Sequence, residues 1–253
     1  MWQTLGSSII LIKEIKDMEE LLEFKRPGGK LAARPLHFIW MVDCSGSMTG
    51  EKIESLNYAI RQVIPEMRSA ASENPNAELL VRTIKFSHGA SWHGIPTPTP
   101  IDQFVWDNLT PGGETQMGKA FELLTEQLKM PPMPERALPP VIVLLSDGQP
   151  TDEYRNALST LNSIPWGKRA VKIAIAIGHD ADKMVLEEFV NNPELPVLEA
   201  NNPEALVKYI KWASTVAKQV SAPFSKSTAD GGSIITNVDA ATIPTVSDDD
   251  DVW

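Results

Sequence analysis

Three short stretches of this 253-residue chain carry hard oxygen donors at spacings that could serve a cation. The first is Asp43-Cys44-Ser45-Gly46-Ser47, a D-x-S-x-S pattern directly after the apolar run Phe38–Val42. Asp43, Ser45 and Ser47 offer one carboxylate and two hydroxyls, and alternate side chains of a tight loop can converge on one point. Gly46 lets the backbone turn closely between the serines. The second stretch, Thr110-Pro111-Gly112-Gly113-Glu114-Thr115, ends in a further hydroxyl at Thr115. The third, Ser146-Asp147-Gly148-Gln149-Pro150-Thr151-Asp152, follows the apolar run Val141–Leu145 and places Asp147 where that run ends. Asp147 suits a second carboxylate, bonded directly or through water. Mg²⁺ takes such oxygen ligands in octahedral geometry and keeps waters or one external ligand.

These loops need elements to hold them. Phe38–Val42, Leu79–Phe86, Val141–Leu145 and Val171–Ile177 read as strands, the third apolar throughout, as for a strand covered on both faces. Helical spacing of apolar residues marks 51–67, where Ile53, Leu56, Ala59, Ile60, Val63, Ile64 and Met67 share a face. Helices are likewise expected over 116–130, 153–161, 182–190 and 203–220. Strands alternating with helices imply crossovers, a mostly parallel sheet and helices on both faces, an α/β architecture. In such sheets ligands bind outside the carboxyl ends of the strands, where all three loops fall.

The three stretches together resemble the von Willebrand factor type A family and its metal-ion-dependent adhesion site. The family pattern is D-x-S-x-S, then a Thr in a Gly-rich loop, then Asp-Gly after a buried strand, and all three stand here in order. The resemblance spans roughly residues 37–220. It implies a Rossmann-like, doubly wound fold and a divalent cation, Mg²⁺ or Mn²⁺, on Asp43, Ser45, Ser47, Thr115 and Asp147. It also implies that an Asp or Glu of a protein partner fills the open coordination position. Within the family, Asp147-Gly148-Gln149-Pro150-Thr151-Asp152 looks like the bacterial tellurium-resistance TerY group, often encoded beside a Ser/Thr kinase and a metal-dependent PPM-type phosphatase. That likeness implies an intracellular adaptor or regulator in a signalling or stress-resistance system.

Outside that region, residues 1–36 read as an N-terminal extension with a short amphipathic helix around Ile15, Met18, Leu21 and Leu22, ended by Pro27-Gly28-Gly29. Residues 221–253 read as a disordered acidic tail rich in Ser, Thr and Asp. About half of the net charge of −10 sits there, Lys226 standing against Asp230, Asp239 and the run Asp248 to Asp251. Its hydroxyls Ser225, Ser227, Thr228, Ser233, Thr236, Thr242, Thr245 and Ser247 are candidates for phosphorylation, and its carboxylates for occupying the metal loops in cis.

Other classes fit poorly. An acidic chain lacks the Lys and Arg surplus with which duplex binders displace phosphate counterions, so no nucleic acid is expected. No apolar run approaches membrane-spanning length, and Ile9–Ile12 is too short for a signal peptide, so a cytoplasmic protein is expected. The single cysteine, Cys44, excludes an intramolecular disulfide. His37, His88, His93 and His179 form no zinc-type spacing. There is no P-loop, no G-x-G-x-x-G and no G-x-S-x-G elbow. A phosphoaspartyl enzyme would want an Asp two residues after Asp43, and Ser45 stands there. The chain is therefore expected not to be an enzyme, a metal-dependent phosphohydrolase on the same sheet being the alternative. Asp152 is expected to cap the helix that follows it.

Overall fold

The computed structural model describes residues 33–221 and 238–246. The N-terminal helix expected around 15–22, the candidate phosphorylation sites other than Thr242 and Thr245, and the run Asp248 to Asp251 lie outside the described residues.

Among the described residues seven strands form one mixed sheet: β1 (Arg34–Asp43), β2 (Ala77–Phe86), β3 (Ala90–Trp92), β4 (Thr99–Pro100), β5 (Val141–Ser146), β6 (Val171–Ile177) and β7 (Leu198–Ala200). Their order is β3-β2-β1-β5-β6-β7, with β4 also on β2. β1 pairs in parallel with both β2 and β5, and β6 and β7 continue in the same sense. Only β3 and β4 run antiparallel to their neighbour. The chain thus winds outward from β1 in two directions, and the point of reversal falls between β1 and β5.

Helices α1 (Glu51–Ser72), α2 (Met117–Leu128), α3 (Tyr154–Ser163), α4 (Pro165–Arg169), α5 (Lys183–Val190) and α6 (Pro203–Ser221) cover the sheet. Met67 of α1 and Ala217 of α6 pack over Leu36 and Leu79. The opposite face carries Arg82, which bonds Gln127 of α2, and Lys172, which bonds Asn162 of α3. Phe121 of α2 stacks on Phe189 of α5 at 5.6 Å between ring centres. The apolar stripe expected on α1 is buried residue for residue, and Pro65 lies within the helix, which runs on to Ser72. Every residue of β5 is buried, as its unbroken apolar run requires.

Several elements differ from expectation. β1 begins at Arg34, because Arg34, Pro35 and Leu36 pair with Ala77, Glu78 and Leu79 of β2. Strands β4 and β7 and helix α4 are too short to show a period. Residues 238–246, part of the segment expected to be a disordered tail, make defined contacts. Val238, Ala240, Ile243 and Val246 pack against the core, and Asp239 caps a 3₁₀ turn, Ala240–Thr242, accepting from Ala241 N–H at 3.0 Å. A polar composition with apolar residues at wide spacing conceals such docking, because the stabilising contacts are tertiary.

Candidate metal centre

The parallel register sets Asp43 and Ser146 side by side. Met41 and Val42 pair with Leu144 and Leu145, so Asp43 leaves β1 one step later, opposite Ser146. Ser146 Oγ donates to Asp43 Oδ2 at 2.6 Å and accepts from Gly148 N–H at 2.9 Å. Asp43 Oδ1 accepts from Ser45 N–H at 2.8 Å, which fixes the first turn of the loop. A 3₁₀ turn, Gly46–Met48, follows. It brings Ser45 Oγ and Ser47 Oγ within 2.9 Å of one another.

The second loop threads between the first loop and the end of β2. Gly112 N–H donates to the Cys44 carbonyl at 2.8 Å, and Gly46 N–H donates to the Gly113 carbonyl at 3.0 Å. Gly113 adopts φ +94°, and a Cβ there would fall 2.0 Å from His88 Nδ1. A side chain is therefore excluded both by backbone conformation and by the imidazole seated on it. Thr115 and Thr151 exchange two bonds, Thr115 N–H to Thr151 Oγ1 at 3.1 Å and Thr151 N–H to the Thr115 carbonyl at 2.9 Å, which tie the second loop to the third.

Asp152 does not cap α3. Glu153 does, accepting from Arg155 N–H. Asp152 instead reaches across to α2, where its carboxylate accepts from Gly118 N–H at 3.0 Å and Lys119 N–H at 3.1 Å. This leaves the Thr115 hydroxyl free of capping duty, since Gln116 at the N-cap makes no side-chain cap bond either. Only the tertiary structure could show it, because the acceptor and the helix lie over thirty residues apart. Glu114 is exposed and accepts from Gln116 Nε2.

The electrostatics of the cluster are unusual for a domain interior. Asp43 and Asp147 are both fully buried. Asp147 Oδ1 accepts from Gln149 N–H at 3.3 Å, and Asp147 Oδ2 has no hydrogen-bond partner. Burial pushes the Asp43 carboxyl up to about 6, and the nearby Asp147 adds to this against the lowering bonds from Ser146 and Ser45. Among the described residues no basic side chain bonds either carboxylate, and two such buried groups are unfavourable as ions unless a counter-charge joins them. A divalent cation is such a counter-charge, and the donor set of two carboxylates and neutral hydroxyls is one that Mg²⁺ or Mn²⁺ accepts. Among the described residues no three His, Cys, Asp or Glu side chains cluster as a metal site. A cation here therefore depends on the hydroxyls of Ser45, Ser47 and Thr115. The Cys44 thiol faces inward, donates to the Val42 carbonyl at 3.7 Å, and is pushed up to about 12 by burial and then by Asp43.

The sheet is mostly parallel, with acidic and hydroxyl loops at its switch point, and comparison with known proteins gives its family. The von Willebrand factor type A domain model matches residues 39–212, and the chain belongs to that family. No curated relative matches by sequence. Among solved structures, a von Willebrand factor type A protein of Catenulispora acidiphila aligns over 74% of this chain and 43% of its own, with 16% identity and TM-score 0.58. The ArnB paralog VWA2 of Sulfolobus acidocaldarius aligns over 72% and 45%, with 20% identity and TM-score 0.53. Proximal thread matrix protein 1 of the mussel byssus, whose structure has a zinc-occupied MIDAS motif, aligns over 74% and 46%, with 17% identity and TM-score 0.54. The chain thus spans less than half of each of these proteins. At such identities the likeness is one of fold. Among the described residues no helix is long and apolar enough to cross a membrane.

Proposed function

We propose that this chain is a metal-dependent protein-interaction module rather than an enzyme. The observation that carries this is the buried Asp43–Asp147 pair, which no basic side chain among the described residues bonds, with Asp147 Oδ2 unpartnered among them. Asp43, Ser45, Ser47, Thr115 and Asp147 would hold the cation, Mg²⁺ or Mn²⁺. When bound, it supplies a Lewis-acidic coordination position that an oxygen anion can occupy.

The chain's own groups prepare that position. Ser146 and the Ser45 N–H fix the Asp43 carboxylate, the loop bonds at Gly46 and Gly112 hold the serines, and Thr151 holds Thr115. At most two carboxylates face the cation, so a third acid, from a partner's Asp or Glu, remains favourable. The zinc-occupied MIDAS of the mussel protein lends this support by analogy of fold. We extend the proposal to a cytoplasmic, TerY-like setting with a Ser/Thr kinase or PPM-type phosphatase as partner, on the strength of the Asp147–Asp152 string.

The test is a pull-down from native lysate with Mg²⁺ or with EDTA, wild type beside Asp43→Ala. Retention of a protein by wild type in Mg²⁺ alone is the expected result. Equal retention under all conditions overturns the proposal.

A further inference from the structure

The stretch from Tyr154 to His179 holds Arg155, Lys168, Arg169 and Lys172 and not one Asp or Glu, in a chain whose net charge is −10. It folds as the consecutive elements α3, α4 and β6. Lys172 is the second residue of β6, at the amino end of that strand, whereas Asp43 and Asp147 stand at the carboxyl ends of β1 and β5. Lys172 is only 7% exposed, and its ammonium donates to Asn162 Oδ1, a neutral acceptor. Among the described residues no carboxylate pairs with it. Burial lowers its pKa from 10.5 to about 8, so the group still carries its charge at neutral pH. A buried cation without a counter-charge is unfavourable.

Asn162 lines a cleft of about 570 Å³ with Arg155, Ser159, Ser163 and Glu188. An ammonium can only donate, so Lys172 fixes the amide of Asn162 with Oδ1 inward and leaves Nδ2 for the cleft. Ser159 is exposed, and its hydroxyl has no partner among the described residues. Arg155 lies over the Tyr154 ring at 5.0 Å and reaches Glu188 Oε1 from Nη2 at 3.4 Å, which leaves its other N–H groups unused. Glu188, the one acid lining this cleft, also accepts from the Tyr154 hydroxyl at 2.9 Å. Arg155, Ser159 and Asn162 follow at steps of four and three, which places them on one face of α3. Unused N–H and O–H donors thus share one concave surface, backed by a buried cation.

We propose that this cleft is an anion site that takes a phosphate group, carried by the free ion or by a phosphorylated side chain of a partner. A tetrahedral oxyanion distributes its acceptor oxygens over donors set at different heights along α3, where a planar carboxylate offers two. Its charge compensates Lys172 and pairs with Arg155. The proposal goes beyond the metal-binding reading and does not rest on it.

The test uses the full chain in EDTA, so that no cation at Asp43 can hold the anion. Inorganic phosphate, N-acetylphosphoserine amide and N-acetylglutamate amide are titrated in turn at constant ionic strength. The side-chain NMR signals of Asn162 Nδ2 and Arg155 Nε are followed. Saturable shifts with the two phosphates, and none with the glutamate amide, are expected. Arg155→Met and Lys172→Met are each expected to weaken phosphate binding about tenfold, as for loss of a charged hydrogen bond. Glu188→Gln is expected to tighten it by about threefold, because a like charge leaves the cleft. Arg155→Met and Ser159→Ala alter exposed side chains, so the test stands even where Lys172→Met fails to fold. Phosphoserine amide bound at least as tightly as inorganic phosphate supports a phosphate carried by a partner, and the reverse order supports the free ion. Equal shifts with the glutamate amide assign the cleft to carboxylates and overturn the phosphate reading. Shifts that do not saturate, or that persist unchanged in Arg155→Met and Ser159→Ala, overturn the site itself.

Discussion

Asp147 carries a buried carboxylate oxygen with no partner, and that cost is present whenever no cation is bound. Asp147→Ala removes it. The variant is expected to be at least as stable as wild type in EDTA and to lose the stabilisation by Mg²⁺, which for wild type reaches about 2.7 kcal/mol at a hundredfold excess over Kd. Thermal melts with and without Mg²⁺ check this; a Mg²⁺ response that survives would remove Asp147 from the centre. His37 makes a second prediction at this scale. It is buried, neither ring nitrogen has a hydrogen-bond partner, and burial, then Arg82, lowers its pKa from 6.5 to about 4. Below pH 6.5 the unfolded chain binds a proton that the folded chain refuses. Stability is therefore full above 6.5 and falls as pH drops towards 4, by about 3 kcal/mol. His37→Leu is expected to flatten that part of the urea-derived stability profile. An unchanged slope would mean that His37 is not the group responsible.

At the scale of elements, the loops and helices around the centre hold one another. Asp152 caps α2 from the loop after β5, while Thr151 beside it fixes Thr115. Asp152→Ala is expected to lower stability by about 1–2 kcal/mol, as for loss of an N-cap, and to weaken Mn²⁺ binding through the neighbouring Thr115. Urea titration with metal calorimetry separates the two effects. Gly113 and His88 couple the second loop to the β2–β3 turn. Gly113→Ala meets both a strained φ and the imidazole, and His88→Ala relieves only the second. A double-mutant cycle should give a favourable coupling of about 0.5–3 kcal/mol. Additive losses would show that the contact carries no energy.

At the scale of the molecule, segment 238–246 runs along α6 towards the sheet edge that holds the donor loops. Trp212 to Thr242 is the hydrogen bond at its middle. Trp212→Phe keeps most of the buried ring and removes the donor, and should cost about 1 kcal/mol locally. Faster amide exchange over 238–246, with exchange in β1 and β5 unchanged, is the expected signature. Phosphorylation of Thr242 would act on the same contact, because its hydroxyl accepts from Trp212 and donates to the Asp239 carbonyl.

The strands β1, β2, β5 and β6, the long helices and the three donor loops were legible in the chain because each depends on local periodicity or on residue types at short spacing. Asp43, Ser45 and Ser47 lie within five residues, so their convergence follows from one turn. Thr115 and Asp147 stand on two other loops, and a parallel sheet winding both ways from β1 gathers its carboxyl-end loops on one edge. Composition gave no sign of the contacts of residues 238–246, whose apolar side chains are too sparse to form a pattern and are half-buried against α6 and β7. Sequence likewise held no trace of which helix Asp152 caps or which ring rests on Gly113. Such contacts join residues far apart in the chain, and only the packed structure decides them.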